Sequence, residues 1–89
     1  MRFEWDRDKA EANLRKHKVS CDDAATIFFD PLSVTIPDPD HSVGERRFVT
    51  ISSSSRGRLL AVAHTERGST LRIITARLAS AIERKRHEI

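Results

Sequence analysis

Arginines, a glutamate and a histidine are the side chains of this sequence whose types and spacing could do chemistry. Breaking an ester bond without a metal needs a base that takes up a proton, cations that stabilise developing negative charge, and an acid for the leaving oxygen. Arg72 lies inside an apolar run, Arg77 follows at its exit, and Glu66-Arg67 precede it in a turn-forming stretch. Together with His41, in a polar loop, these residues form the predicted catalytic set.

Each predicted catalytic residue also has a structural interpretation. Burying an unpaired Arg72 among apolar neighbours would cost several kcal/mol, so its side chain is expected to face solvent, a ligand or a carboxylate. Arg72 and Arg77 are either cations of an active site or members of ordinary ion pairs. Glu66-Arg67 are either site residues or plain turn residues, and His41 either titrates near a substrate or is a solvated loop residue.

A second group of basic residues is predicted to bind the phosphate backbone of a nucleic acid: Lys16, His17, Arg46 and Arg47. His17 shares a helical face with Asn13, where a histidine held in the core by a hydrogen bond is the structural alternative. The 16 Lys and Arg residues exceed the 13 Asp and Glu residues, giving a net charge of +3. This mild excess favours an anionic partner such as nucleic acid or an acidic protein.

Two helices are predicted at the start of the chain to position these residues. Apolar and polar residues at i, i+3, i+4 and i+7 predict a helix over residues 7–17, with Asp6 as its N-cap. Ser20 is the predicted N-cap of a second helix. Pro31 disfavours helical geometry at the residue before it, so this helix is expected to end at residue 29 or 30.

An antiparallel sheet of about four strands is predicted to follow, over residues 32–36, 47–51, 58–65 and 70–75. Residues 52–57 and 66–69 are rich in turn formers and separate the last three strands. Helical spacing returns after residue 78 and predicts a closing helix with basic residues near its end. The predicted fold class is therefore α+β, and 89 residues suffice for one domain over residues 1–89.

Composition excludes several classes of protein. The first residues contain no apolar signal segment, and no stretch has the length of a membrane span, so a cytoplasmic protein without membrane attachment is expected. The single cysteine, Cys21, has no partner for a disulfide and no Cys or His at metal-ligand spacing. No metal and no cofactor are therefore expected. A hydrophobic share of 38% predicts a modest core that a partner or oligomerisation would help to stabilise.

Several short strings, in their order and spacing, resemble the BrnT toxin family over almost the whole chain. They are Phe3-Glu4-Trp5-Asp6, Lys9-Ala10, Asn13-Leu14, Lys16-His17, Asp30-Pro31, His41-Ser42, Glu45-Arg46, Gly57-Arg58, Thr65-Glu66-Arg67-Gly68, Arg72-Ile73-Ile74, Ala76-Arg77 and Glu83-Arg84. The resemblance implies a RelE-like fold, an endoribonuclease that inhibits translation, and neutralisation by a BrnA-type antitoxin. It leaves a toxin–antitoxin heterotetramer open.

The sequence departs from the family pattern at three informative positions. Lys18 stands where a helix-ending glycine is usual, which adds strain if the residue adopts the left-handed conformation. His64 and His87 stand where similar sequences often carry tyrosine. If an aromatic hydroxyl acts in the chemistry at either position, a histidine must replace it.

Two other functions compete with the toxin interpretation. In the first, the arginines bind phosphates of a nucleic acid without cleaving it, which predicts salt-dependent binding and intact RNA. In the second, the basic surface only receives an acidic protein partner. Composition and pattern by themselves support no more than a small basic α+β domain, and the resemblance favours the ribonuclease.

Overall fold

A computed structural model describes residues 2–38 and 44–87 of the chain. In chain order the elements are β1 (Arg2–Glu4), α1 (Arg7–His17), α2 (Cys21–Ala25), a 3₁₀ helix (Thr26–Phe29), β2 (Val34–Pro37), β3 (Phe48–Ser53), β4 (Leu59–Arg67), β5 (Thr70–Leu78) and α3 (Ala81–His87). Within these residues the strands form one five-stranded sheet in the order β1-β5-β4-β3-β2. The first pair, β1 with β5, is parallel, and the pairs from β5 to β2 are antiparallel.

The ends of α1 follow from local hydrogen bonding. Asp6 caps the helix, because its Oδ1 accepts a hydrogen bond of 3.0 Å from the Lys9 backbone N–H. At the other end Lys18 adopts the left-handed conformation, with φ 60° and ψ 29°, and its N–H donates to the carbonyl of Leu14. The predicted bounds and N-cap of this helix are confirmed, and the left-handed conformation of Lys18 is one that a side chain strains.

The second predicted helix is divided into two short pieces. Ser20 caps α2 by accepting a hydrogen bond of 3.0 Å from the Asp23 N–H. The α-helical geometry lasts only to Ala25, and a 3₁₀ turn continues to Phe29. The chain is extended at Asp30, before Pro31, as expected for a residue that precedes proline.

The prediction of about four antiparallel strands is corrected by β1. This strand has three residues and pairs in parallel with β5, Arg2 opposite Thr70 and Glu4 opposite Arg72. Three residues are too few to show an alternating pattern, and their partner lies at the far end of the sequence. The predicted strands 32–36, 47–51, 58–65 and 70–75 correspond to β2, β3, β4 and β5, and the closing helix corresponds to α3.

The main core lies between one face of the sheet and the amino-terminal helices. Its buried members are Val19, Cys21, Ala24, Ile27, Leu60, Val62, Leu71, Ile73 and Ala76. A smaller cluster of Ile51, Leu59 and Ala61 is buried on the other face, with Ala79 packed against it. α3 contacts β3 on that second face.

The Asn13 side chain hydrogen-bonds to the backbone of β5 beyond the part that pairs with β1. β1 pairs with β5 only as far as Arg72. Further along, the Asn13 Nδ2 donates to the carbonyls of Ala76 at 2.8 Å and Val19 at 3.0 Å, and its Oδ1 accepts from the Ala76 N–H at 3.1 Å. The amide therefore satisfies backbone groups that would otherwise be buried without partners, and it fixes α1 against the sheet edge.

None of the helices in the described part of the chain has the length and apolar character needed to cross a membrane.

Candidate functional site

The two faces of the sheet carry different kinds of side chain. On β4, Leu60, Val62 and His64 belong to the main core, and the residues between them point to the opposite face, because successive side chains of a strand alternate. We call this opposite face, which α3 covers in part, the open face. The predicted arginines can be placed on it through their pairing with β4.

A β-bulge in β5 brings Arg72 and Arg77 to the same face. In the pairing of β5 with β4, Arg77 is opposite Ala61, Thr75 is opposite Ala63, and Arg72 is opposite Thr65. Directly paired residues share a face, and these three β4 residues alternate along one face. Ile74 is the extra residue of the bulge. Without it, the odd spacing from Arg72 to Arg77 would place the two side chains on opposite faces.

A shallow groove of about 380 Å³ runs beside the middle of β5. Its lining residues are Lys9, Ala12, Asn13, Lys16, His17, Arg47, Ile74 and Thr75. Three of the predicted RNA-binding residues, Lys16, His17 and Arg47, are thus brought together from two distant segments of the chain. The groove has the positive side chains that binding to a phosphate backbone requires.

Two ion pairs form a cluster of alternating charge at the start of β5. Arg67 Nε lies 2.5 Å from Glu45 Oε2, and Arg72 Nη1 lies 3.3 Å from Glu4 Oε1. The Arg67 guanidinium lowers the pKa of the Glu45 carboxyl below its usual value of 4.5. The expectation that Arg72 faces solvent, a ligand or a carboxylate is confirmed, because its side chain is 36% exposed and paired with Glu4.

Arg77 lies at the other end of β5 and has a separate partner. Its Nη1 and Nη2 donate to Oε1 and Oε2 of Glu83 at 2.6 and 2.9 Å. Arg77 is five positions from Arg72 along the strand, which corresponds to roughly 15 Å. The structure therefore does not gather all the predicted catalytic arginines at one edge of the sheet. It places them along one face, with the groove between them.

Three other predicted residues lie elsewhere. Glu66 is opposite Leu71, a main-core residue, so it lies on the other side of the sheet from Arg67 and Arg72. Arg46 stacks over the Phe48 ring, 5.6 Å from its centroid, and does not line the groove. His41 lies outside the described residues.

Sequence reasoning missed four charged residues of this region: Glu4, Lys9, Glu45 and Glu83. The spacing of Lys9 and Lys16, seven residues apart on one helix, could have indicated that both belong to one face. Glu83 follows Ser80 by three residues, which is the spacing of a capping box at the start of α3. No local pattern indicates Glu4 or Glu45, because their arginine partners are distant in sequence.

His64 is a buried histidine on the main-core side of the sheet. It is 1% exposed, lies between the rings of Phe28 and Phe48, and its Nε2 is 2.7 Å from the Thr50 hydroxyl. Burial lowers its pKa to about 4. This histidine is therefore neutral at physiological pH and lies away from the open face.

Cys21 is also buried, and desolvation raises the pKa of its thiol. Cys21 is therefore a buried thiol and not a reactive thiolate. Among residues 2–38 and 44–87, no three His, Cys, Asp or Glu side chains come close enough together to hold a metal ion.

The open face and the groove beside it thus bring together basic side chains, arginines that could stabilise developing negative charge, and the Glu45 carboxylate paired with Arg67. A family model described as "Ribonuclease toxin, BrnT, of type II toxin-antitoxin system" matches residues 5–83. The fold is similar to the crystal structure of the Brucella abortus ribonuclease toxin BrnT, with a TM-score of 0.70, 24% identity, and coverage of 90% of this chain and 97% of that chain. A comparison with curated proteins gave no match. Because the family model spans most of the sequence, this chain belongs to the BrnT family of ribonuclease toxins of type II toxin–antitoxin systems.

Proposed function

We propose that this chain is an endoribonuclease that cleaves RNA lying along the open face, without a metal, and thereby inhibits translation. The observation that carries the proposal is the bulge at Ile74, which aligns Arg72 and Arg77 on one face beside Lys16 and His17 of α1. An RNA backbone in the groove lies against α1 on one side, with Arg72 of β5 near one end and Arg77 near the other. The groove binds the RNA, and the charge cluster at the start of β5 acts on one phosphate.

The charge cluster supplies a base and two cations. Glu45 is a carboxylate at neutral pH, as an ordinary glutamate is, and its hydrogen bond with Arg67 lowers its pKa further. When an RNA phosphate pairs with the Arg67 guanidinium in place of Glu45, the Glu45 carboxylate loses the stabilisation that Arg67 gave it. The pKa of Glu45 then rises, and its carboxylate becomes a better base. Glu45 thus takes the role of base, which the sequence had assigned to no particular residue. Glu66, on the other side of the sheet, is left out of the mechanism.

The proposed step is an internal transesterification. Glu45 accepts the proton of the 2′-hydroxyl, and the 2′ oxygen attacks the adjacent phosphorus. Arg67 and Arg72 stabilise the phosphorane, and the bond from phosphorus to the 5′ oxygen breaks. The leaving oxygen takes a proton from water. The products are a 2′,3′-cyclic phosphate and a 5′-hydroxyl.

The test uses the antitoxin-free protein, an RNA of defined sequence and a chelator. We expect cleavage to persist in chelator and to leave 2′,3′-cyclic or 3′-phosphate ends. Glu45→Gln should lower the cleavage rate about 100-fold, and the matched variant Glu66→Gln should change it less than about threefold. Loss of all activity in chelator, restored by a divalent ion, would overturn the mechanism.

Membership of a type II toxin–antitoxin family implies an antitoxin partner. The proposed partner is a BrnA-like protein that covers the cationic open face of this RelE-like fold in the cytoplasm, within a toxin–antitoxin heterotetramer. A ligand that binds only the native state stabilises it. Titration with antitoxin should therefore raise the melting temperature and abolish RNA cleavage together. An antitoxin that raises the melting temperature and leaves cleavage undiminished would contradict the proposal that it covers the open face.

One observation favours a second function, binding of nucleic acid without cleavage. Arg67, Arg72 and Arg77 each have a carboxylate partner, as purely structural arginines do. In that case the groove binds RNA in a salt-dependent way and the RNA stays intact. The cleavage assay described above separates the two functions directly.

A further inference from the structure

A small apolar cavity lies between α3 and the outer strands on the open face, away from the groove. It measures about 140 Å³ and is lined by Val34, Ile36 and Ile51 of the sheet and by Glu83, Arg86 and His87 of α3. Val34 and Ile51 lie side by side in the floor of the cavity, because they are directly opposite each other in the pairing of β2 with β3. Among the described residues, α3 covers this apolar floor only in part.

The cavity has room for one apolar side chain from outside. Val34 is 47% exposed and Ile36 43% exposed, whereas Ile51 beside them is only 6% exposed. An engineered apolar cavity of about 150 Å³ is large enough to hold benzene. A leucine, isoleucine or phenylalanine side chain entering here would cover the exposed parts of Val34 and Ile36.

The rim of the cavity is basic. Arg86 and His87 line it, and the last turn of α3 also carries Arg84 and Lys85. The buried Nε2 of His87 has no hydrogen-bond partner among the described residues. A carboxylate beside the entering side chain would meet Arg86 and give this nitrogen a partner.

Charge also indicates which partner fits. A second copy of this chain would bring a like net charge of +3 against a basic rim. RNA matches the charge of the rim but offers nothing to cover an aliphatic floor. An acidic amphipathic protein segment matches both the floor and the rim.

We propose that this cavity is a docking site for the antitoxin, which inserts one large apolar side chain between β2 and α3 and places acidic residues against Arg86. The inference rests on the proposed antitoxin partner and adds where that partner binds. The anchor lies on the same face as the groove, so an antitoxin attached here can extend over the RNA-binding residues.

The experiment uses the full chain and the antitoxin co-expressed from its operon, separated and titrated by calorimetry. Val34→Lys should weaken binding at least about 30-fold, as expected when a buried apolar anchor contact is lost. The control is Leu14→Lys on α1, because Leu14 is 47% exposed, the same as Val34, and does not line the cavity. The control should bind within about threefold of the wild type.

A second pair of variants tests the rim. Arg86→Glu should weaken binding more than Lys85→Glu, which reverses the charge of the next residue on the same helix but outside the cavity lining. Free Val34→Lys should cleave RNA at the wild-type rate, which also shows that it is folded. Equal affinities of Val34→Lys and Leu14→Lys would overturn the docking site. If the wild-type chain forms no complex with the antitoxin, the proposed partner is wrong. If the wild-type chain forms the complex but does not cleave RNA, only the proposed ribonuclease activity is wrong.

Discussion

Arg77 and Glu83 hold each other through two parallel hydrogen bonds, from Nη1 to Oε1 at 2.6 Å and from Nη2 to Oε2 at 2.9 Å. Glu83 Oε1 also accepts a hydrogen bond of 2.8 Å from the Ser80 N–H at the start of α3. The bonds from Arg77 are the main cause that lowers the pKa of Glu83 to about 2. The pair therefore fastens α3 to β5 and also holds the arginine at the far end of the proposed RNA path.

Arg77→Ala should lower the rate of RNA cleavage about tenfold at subsaturating protein, because Arg77 binds a phosphate at the far end of the groove and lies too far from Arg72 to act on the phosphate that is cleaved. Arg84→Ala, an exposed basic residue on α3, should change the rate less than about threefold under the same conditions. Single-turnover cleavage of a defined RNA measures both.

Glu83→Gln separates a role of Arg77 in RNA binding from a structural one. This variant removes the charge that holds Arg77 and keeps the guanidinium, so cleavage should stay within about threefold of the wild type. If Arg77 served only to hold α3, Glu83→Gln and Arg77→Ala would lose the same activity and the same thermal stability.

Lys16→Ala should weaken RNA binding and make it less sensitive to salt. Each lost phosphate contact reduces the slope of log Kd against log salt by about 0.7 for a single strand. A 2′-O-methyl RNA, which cannot be cleaved by its own 2′ oxygen, allows the affinity to be measured at several salt concentrations. Lys85→Ala on α3 is the control, and an equal change of slope in both variants would place the RNA outside the groove.

Stability should fall as the pH drops from about 6.5 toward 4, in part because of His64. Its pKa is lowered from 6.5 to about 4 by burial, so in this interval the unfolded chain binds a proton that the folded chain does not. The free energy of unfolding then decreases by up to about 1.4 kcal/mol per pH unit, and this contribution levels off below pH 4.

His64→Tyr is the variant that tests this dependence, because tyrosine keeps an aromatic ring and a hydroxyl near Thr50 and does not titrate in the interval. Urea unfolding of both proteins across the interval gives the difference in their free energies. A difference that stays constant with pH would show that His64 does not contribute to acid lability.

Lys18→Gly should stabilise the protein by about 1 kcal/mol, because Lys18 ends α1 at φ 60°, where a side chain is strained and glycine is not. Lys18→Ala keeps a Cβ atom at the same φ and should give no such gain. Thermal unfolding of the three proteins measures the effect. A gain in the alanine variant equal to that in the glycine variant would point to the lysine charge instead of the backbone.

The helix ends could be predicted because their causes are local. Asp6, Ser20 and Pro31 act within three or four residues of their own positions, so the sequence around them contains the whole signal. The last three strands are separated by short turns and were also predicted. β1 could not be predicted, because its three residues form a strand only through their pairing with β5.

The candidate site was only partly predictable for the same reason. Lys16, His17 and Arg47 were identified by residue type, and the fold brings them to one groove. Arg72 and Arg77 share a face because of the bulge at Ile74, whereas strand alternation alone would place them on opposite faces. Glu66 was placed beside Arg67 by its position in the chain, and the same alternation puts it on the other side of the sheet.

The position of β5 between β1 and β4, together with the bonds from Asn13 to Ala76, has a consequence for how the protein is made. Residues 2–17 are synthesised before the whole of β2, β3 and β4, yet their partners lie on β5. Contacts between such distant segments form only after the intervening chain is available. The groove, with α1 as one wall and β5 as the other, therefore does not exist on a nascent chain. The ribosome that translates this chain therefore meets the folded groove only after β5 has been synthesised.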